Sequence, residues 1–259
     1  MGFLGLAVVV GAIAAYALMV FVVHTFTYRT WIFDSAVAIG MVLALVGWAN
    51  DGPNLASGIA LVVGAVWFPL GRRELRIRGS DQLLVHNGDR FPAMNLVTTK
   101  GEPFTDKDLV ATAPVLLVLY RGWWCPTHKS QLNELLRAHE RLAEAGLTVF
   151  AASVDTPEES EPIQQHVGNK ITILCNLPES LLDELGTKDT KGAPWYDRLI
   201  FGAKKQDISM PPGYVIDTSG TVVYTYRSTT IDDIPDPERI LSKLKHAITT
   251  HDGQDGLRV

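Results

Sequence analysis

The run Pro114-Val115-Leu116-Leu117-Val118-Leu119-Tyr120 constrains the fold more than any other stretch of the chain. A short, unbroken apolar run rich in Val and Leu reads as a β-strand buried on both faces. The segment Arg121-Gly122-Trp123-Trp124-Cys125-Pro126-Thr127-His128 follows it directly. Beyond that, Leu132, Leu135, Leu136 and Leu142 recur at helical spacing, which predicts a helix from Pro126 onward. Cys125 therefore stands between a central strand and a helix N-terminus. Unpaired backbone N–H groups and the positive end of the helix dipole both favour a thiolate there. Arg121 adds a positive charge nearby, and Pro126 suits the first helical turn. The expectation is an activated thiol.

The remainder of the soluble part alternates strands with helices. Residues 79–86 read as a linker and an edge strand, with a turn at Asn87-Gly88. Phe91 to Phe104 has the pattern of a small hairpin turning at Thr99-Lys100-Gly101-Glu102. Leu147–Ser153 and Ile171–Cys175 are two further buried strands. Asp155-Thr156-Pro157-Glu158-Glu159 opens a helix, and residues 178–186 form a short helix stopped by Gly186. Residues 187–209 carry no clear periodicity and are expected to be a long loop. A hairpin over Gly213–Tyr226 and a helix from Asp236 to about His246 complete the pattern. Such an order predicts an α/β three-layer sandwich, a mixed central sheet with helices on both faces.

The first 71 residues are of another kind. Gly2–Val23 carries no charge, residues 31–48 carry only Asp34, and residues 54–70 carry none. Three transmembrane helices are expected, with Trp31, Trp48 and Trp67 near their ends at headgroup level. A cleaved signal peptide does not fit, because no basic region opens the first stretch. Arg72, Arg73, Arg76 and Arg78 follow the third stretch, and Arg29 lies between the first two. The loop at Asn50-Asp51-Gly52 has no basic residue. This asymmetry predicts an outside N-terminus and a cytoplasmic soluble domain. The expected division is 1–71 membrane domain, 72–83 basic linker, 84–248 soluble domain and 249–259 polar tail.

Residues 79–259 hold 18 basic against 25 acidic residues, a net charge of −7. That balance provides no electrostatic footprint for nucleic acid. Cys125 and Cys175 are the only cysteines, too few for a disulfide scaffold and too few, with the histidines near them, for a metal site. No cofactor motif is visible.

Three landmarks over residues 84–245 resemble the thioredoxin-like redoxins, specifically the alkyl hydroperoxide reductase and thiol-specific antioxidant group. Gly88-Asp89-Arg90-Phe91-Pro92-Ala93-Met94-Asn95-Leu96 resembles the family's first hairpin. Arg121-Gly122-Trp123-Trp124-Cys125-Pro126 resembles its active-site loop, and Met210–Gly220 its cis-proline strand and turn. The resemblance implies a thioredoxin-like fold, a reactive Cys125, and a cis-proline at Pro211 placed against the sulfur. Departures are specific. Where thioredoxins carry a second cysteine this chain has His128. Typical peroxiredoxins have Thr or Ser at the position of Gly122 and an arginine at that of Pro211.

Together these readings give a membrane-anchored thiol oxidoreductase working through Cys125 on a peroxide or a disulfide. Arg121 and a protonated His128 would favour the thiolate. An external thiol would regenerate Cys125 unless Cys175 resolves it; the more ordinary reading of Cys175 is a small buried strand-end residue. The rival class is a non-catalytic membrane-tethered module that uses the fold for binding or assembly.

Overall fold

The computed structural model describes residues 1–23, 31–68, 83–190, 192–193, 195–203, 208–228 and 235–251. Its chain divides into two compact units, Met1–Arg76 and Ile77–Val259.

In the first unit, helix α1 (Gly2–Ala17) runs on as a wider turn through Leu18–Val22. It is followed by α2 (Trp31–Asp51) and α3 (Leu55–Val66), the last capped by Asn54, whose side chain accepts from the Ser57 N–H at 2.9 Å. Small residues decide how the first two meet. A Cβ on Gly5 would sit 2.6 Å from both the Ala44 nitrogen and the Gly40 oxygen, so the two backbones touch there. Large apolar side chains such as Phe3, Val10, Phe21, Ile39, Val42 and Leu45 point outward and are exposed. The Trp67 indole donates to Asp34 Oδ1 at 3.1 Å and packs edge-on against Tyr16, which joins α3 to both other helices. Gly2–Val22 and Trp31–Asp51 have 21 residues each, with mean hydropathy of 2.5 and 2.0, long and apolar enough to cross a membrane. Helix α3 has 12 residues, about 18 Å of rise, against a hydrocarbon core of about 30 Å. Two candidate spans and a short apolar helix thus replace the three full spans expected.

The second unit is built on a seven-stranded mixed sheet. Its strands are β1 (Asn95–Thr98), β2 (Pro103–Thr105), β3 (Val115–Leu119), β4 (Thr148–Ala152), β5 (Thr172–Cys175), β8 (Gly213–Ile216) and β9 (Val222–Tyr226). A separate two-stranded ladder joins β6 (Lys188–Asp189) to β7 (Ile208–Ser209). The order across the large sheet is β2-β1-β5-β4-β3-β8-β9. Strand β3 is buried along its whole length, parallel to β4 and antiparallel to β8. Because side chains alternate along a strand, Val115, Leu117 and Leu119 enter one core cluster and Leu116, Val118 and Tyr120 the other. The second cluster is covered by α5 (Pro126–Glu144) through Leu132, Leu135, Ala138 and Leu142, by α6 (Pro157–Val167) and by α9 (Pro237–His251). The first is covered by α4 (Asp106–Ala111) and α7 (Glu179–Leu185). This is the expected thioredoxin-like layering.

Local chemistry explains several boundaries. Thr156 and Glu159 form a reciprocal capping box at the start of α6, and Gly186 ends α7 in the left-handed region. Two expectations are corrected. Leu83–His86 is not a strand: Leu83 and Val85 are buried, but the segment hydrogen-bonds through Leu84 N–H to Leu185 O instead of joining a ladder. The expected loop at 187–209 contains β6, β7 and α8 (Trp195–Phe201). Two-residue strands are too short to leave an alternation in sequence.

Candidate active site

Strand β3 ends at Leu119, and the chain then turns twice before α5 begins. Cys125 is the N-cap of α5, with extended backbone (φ −80°, ψ 114°), and Pro126 occupies the first turn. The Cys125 N–H donates to Gly122 O at 3.2 Å and closes a β-turn over Trp123 and Trp124. Asp155, just past β4, fixes that turn from below: its Oδ2 accepts from the Trp123 N–H at 2.7 Å and from Ser153 Oγ at 3.0 Å. The His128 N–H donates to the Cys125 carbonyl at 3.2 Å at the start of the helix, and the first-turn N–H groups of His128 and Thr127 act to lower the thiol.

Gly122 is required by this geometry. Its φ of +149° is one that L side chains rarely adopt, and an added Cβ would lie 2.5 Å from the Trp124 indole nitrogen. The indole thus fills the place where a side chain at position 122 would begin.

Arg121 is buried, 1% exposed. Its Nη2 lies 3.4 Å from Asp189 Oδ2 and donates to Gly192 O at 3.0 Å, while its guanidinium lies 5.6 Å from the centre of the Trp124 ring. The segment that sequence periodicity leaves as a loop therefore supplies the site's counter-charge. Asp197, buried on α8, adds a negative charge felt at Cys125. Trp123 lies against Gly202 of the same segment, a Cβ there falling 3.9 Å from its ring, and both Trp123 and Phe201 pack on the first core cluster. Asp155, Asp189 and Asp197 are site residues that the sequence reading missed; nothing in their spacing distinguishes them from surface carboxylates.

Electrostatics differ from the expectation at both titratable positions. Burial pushes the Cys125 thiol up, and although Arg121 and the two N–H groups pull it down, the net direction is upward. His128 is pushed well below the ordinary histidine value of 6.5, first by burial and then by the charge of Arg121. It is neutral rather than protonated, with Nδ1 accepting from the Arg121 N–H at 3.2 Å. His128 thus braces the loop and supplies no cation. The causes are tertiary: a buried group resists charge whatever its sequence neighbours are.

Pro211 lies buried, its carbonyl accepting from Ser228 Oγ, and the next carbonyl, of Pro212, accepts from the Leu119 N–H at 3.1 Å. The 210–212 segment is thereby fixed to the end of β3. Its peptide bond is trans, contrary to expectation; among the described residues the cis bond is Ala113–Pro114. Cys175 is buried in the cluster beneath α5 and α6, whereas Cys125 belongs to the opposite cluster, and both are free thiols. Burial raises Cys175 also. The structure does not bring the two sulfurs together.

A family model described as AhpC/TSA matches residues 87–225, more than half of the chain and the whole site. The chain belongs to the AhpC/TSA family. This AhpC/TSA protein matches no curated protein sequence. Among solved structures it resembles the thiol peroxidase of Chromobacterium violaceum, at 19% identity and a TM-score of 0.52, over 68% of this chain and 93% of that one. It also resembles peroxiredoxin 6 of Arenicola marina, at 15% identity and a TM-score of 0.53, over 64% and 75%. A Burkholderia cenocepacia protein described as a putative thioredoxin reductase gives 18% and 0.51, over 61% and 96%. At these identities the likeness is one of fold.

The buried, neutral His128 of this AhpC/TSA protein has a measurable consequence. The unfolded chain takes up a proton there as pH falls below 6.5, and the folded chain does so only at lower pH. His128 thus contributes stability above 6.5 that is lost as pH falls from 6.5 towards its folded value. The slope reaches at most about 1.4 kcal/mol per pH unit. Denaturant unfolding of the full chain between pH 7 and 5 should show this slope, and His128→Asn should flatten it. Equal slopes in both proteins would contradict a neutral His128.

Proposed function

We propose that this AhpC/TSA protein is a membrane-anchored, thiol-dependent oxidoreductase whose single reactive residue is Cys125, with peroxides as its principal substrates. The carrying observation is Cys125 at the N-cap of α5, where the Arg121 charge and the N–H groups of the first helical turn favour its thiolate. Family membership and the fold shared with thiol peroxidases support the same reading.

In the proposed cycle the Cys125 thiol loses its proton to solvent and the thiolate attacks one peroxide oxygen. An S–O bond forms, the O–O bond breaks, and the sulfur is oxidised by two electrons to sulfenic acid. The second oxygen departs with a proton as water or alcohol. An external thiol then displaces water from the sulfenic acid to give a mixed disulfide. A second external thiol restores Cys125 and leaves as a disulfide. Cys175, held in the opposite core, takes no part. Arg121 and the α5 N–H groups stabilise the thiolate, and Pro211 bounds the site beside the end of β3.

A second reading, a non-catalytic binding module, is favoured by one observation: burial leaves Cys125 a thiol at neutral pH. Oxidation of the reduced full chain by hydrogen peroxide separates the two. The enzyme reading expects second-order oxidation of Cys125, abolished by Cys125→Ser and unchanged by Cys175→Ser. The raised thiol holds the rate constant below about 10⁶ M⁻¹s⁻¹, well within the enzyme range. Inertness towards peroxide over pH 6–9 sinks the enzyme reading, and a faster rate sinks the account of burial.

Anchoring is supported by the first unit: small residues line the α1–α2 seam and large apolar side chains face outward, as in helices dissolved in lipid. We propose three crossings, with α3 and its flanks spanning a locally thinned bilayer. The arginines at 29, 72, 73, 76 and 78 then lie on the cytoplasmic side with the redoxin domain. An amine label that cannot enter intact cells should reach the exposed Lys100 and Lys107 only after permeabilisation. Labelling without permeabilisation would place the domain outside.

A further inference from the structure

Helix α8 turns two side chains inward: Asp197, which is buried, and Phe201, which packs on the first core cluster. The two are four residues apart and so share one face of the helix. The residues between them, Arg198, Leu199 and Ile200, are exposed, Leu199 at 76% and Ile200 at 66%. Among the described residues of the second unit, the other exposed large apolar side chains are Leu84, before β1, and Val223, on β9. Both are less exposed, and neither has an apolar neighbour of this kind. The pair on α8 stands beside the cysteine loop. Asp197 is felt at Cys125, and a Cβ on Gly202 would lie 3.9 Å from the Trp123 ring.

Size and charge decide what covers this pair. A specific dimer buries about 800 Å² on each partner, far more than two side chains supply. A lipid surface sets no such minimum, because each side chain enters the boundary between headgroups and acyl chains by itself. Residues 187–209 carry 5 basic against 3 acidic residues, +2 within a soluble part whose net charge is −7. Two of those acids, Asp189 and Asp197, are buried, whereas Arg198 is exposed. An anionic headgroup complements that charge.

We propose that Arg198, Leu199 and Ile200 of α8 form a docking surface for a lipid bilayer. The two apolar side chains enter the headgroup boundary, and Arg198 meets anionic phosphates. The inference rests on the membrane-anchored reading above. The chain between Phe68 and Leu83 spans at most about 50 Å, so an anchored domain stays within that distance of the bilayer. At the effective concentration such a tether maintains, a surface of low intrinsic affinity is occupied. Docking then holds the cysteine loop, beside α8, at the lipid surface.

The experiment uses the full chain in nanodiscs of about four parts phosphatidylcholine to one of phosphatidylglycerol. Leu199 is replaced site-specifically by the photoreactive p-benzoylphenylalanine, and Val223, on the edge strand β9, is the comparison position. After irradiation the peptide carrying position 199 should gain the mass of a lipid, in a yield about fivefold or more above that at 223. The same replacement at Ile200 should give the same result and serves if the first variant misfolds. Arg198→Glu should roughly halve the yield at 199 or reduce it further. Equal yields at 199 and 223 overturn the proposal, and so does an unchanged yield in Arg198→Glu. A protein adduct at 199 in place of lipid also overturns it and would mark a second copy or another protein as the occupant. A chain that stays soluble without detergent and does not enter nanodiscs removes the anchoring reading itself, and this inference with it.

Discussion

A guanidinium that is 1% exposed sets the terms for the rest of the redoxin domain. Arg121 cannot shed its charge, and a buried charge without a partner costs several kcal/mol. Asp189 and the Gly192 carbonyl meet that requirement. Both belong to the segment after α7, so this stretch must lie over the cysteine loop for the domain to fold. The β6–β7 ladder and the approach of Trp123 to Gly202 accompany the same placement.

The ion pair also governs the chemistry. Arg121 pulls the Cys125 thiol down and keeps His128 neutral, acting in opposite senses on an acid and a base. It does not act alone. Burial opposes it at Cys125 and reinforces it at His128, and burial is the larger influence at both. Asp155 supplies the mechanical counterpart by gripping the Trp123 N–H, which leaves the Trp124 indole folded over Gly122. Fold and site are thus one arrangement: a β-turn held from below by one carboxylate and from the side by a paired arginine.

Much of this was legible in sequence where a pattern repeats. The apolar run that became β3, the leucines of α5 and the Asp155–Glu159 opening of α6 each carry a period or a spacing that local physics reads directly. Cys125 at the α5 N-terminus was legible for the same reason. The 187–209 segment was not, because two-residue strands and a seven-residue helix are too short to show periodicity and are held by contacts distant in sequence. Asp189 and Asp197 were hidden with it. The direction of the Cys125 and His128 shifts was misread because a sequence displays neighbouring charges but not desolvation. Pro211 has a trans bond where a cis bond was expected, in a segment fixed by the Ser228 and Leu119 hydrogen bonds. The third apolar stretch gave a shorter helix than its composition suggested.

The central claim is that the Arg121–Asp189 pair couples the cysteine loop to the segment covering it. A double-mutant cycle on the full chain, with Arg121→Met, Asp189→Leu and the combined variant compared by denaturant unfolding, tests this directly. Each single change leaves a buried charge or its partner stranded and should cost about 3 kcal/mol or more. The combined variant should cost less than the two single losses together by well over 1 kcal/mol. Additivity to within about 0.5 kcal/mol would show that the two residues do not act as a pair and would contradict the account.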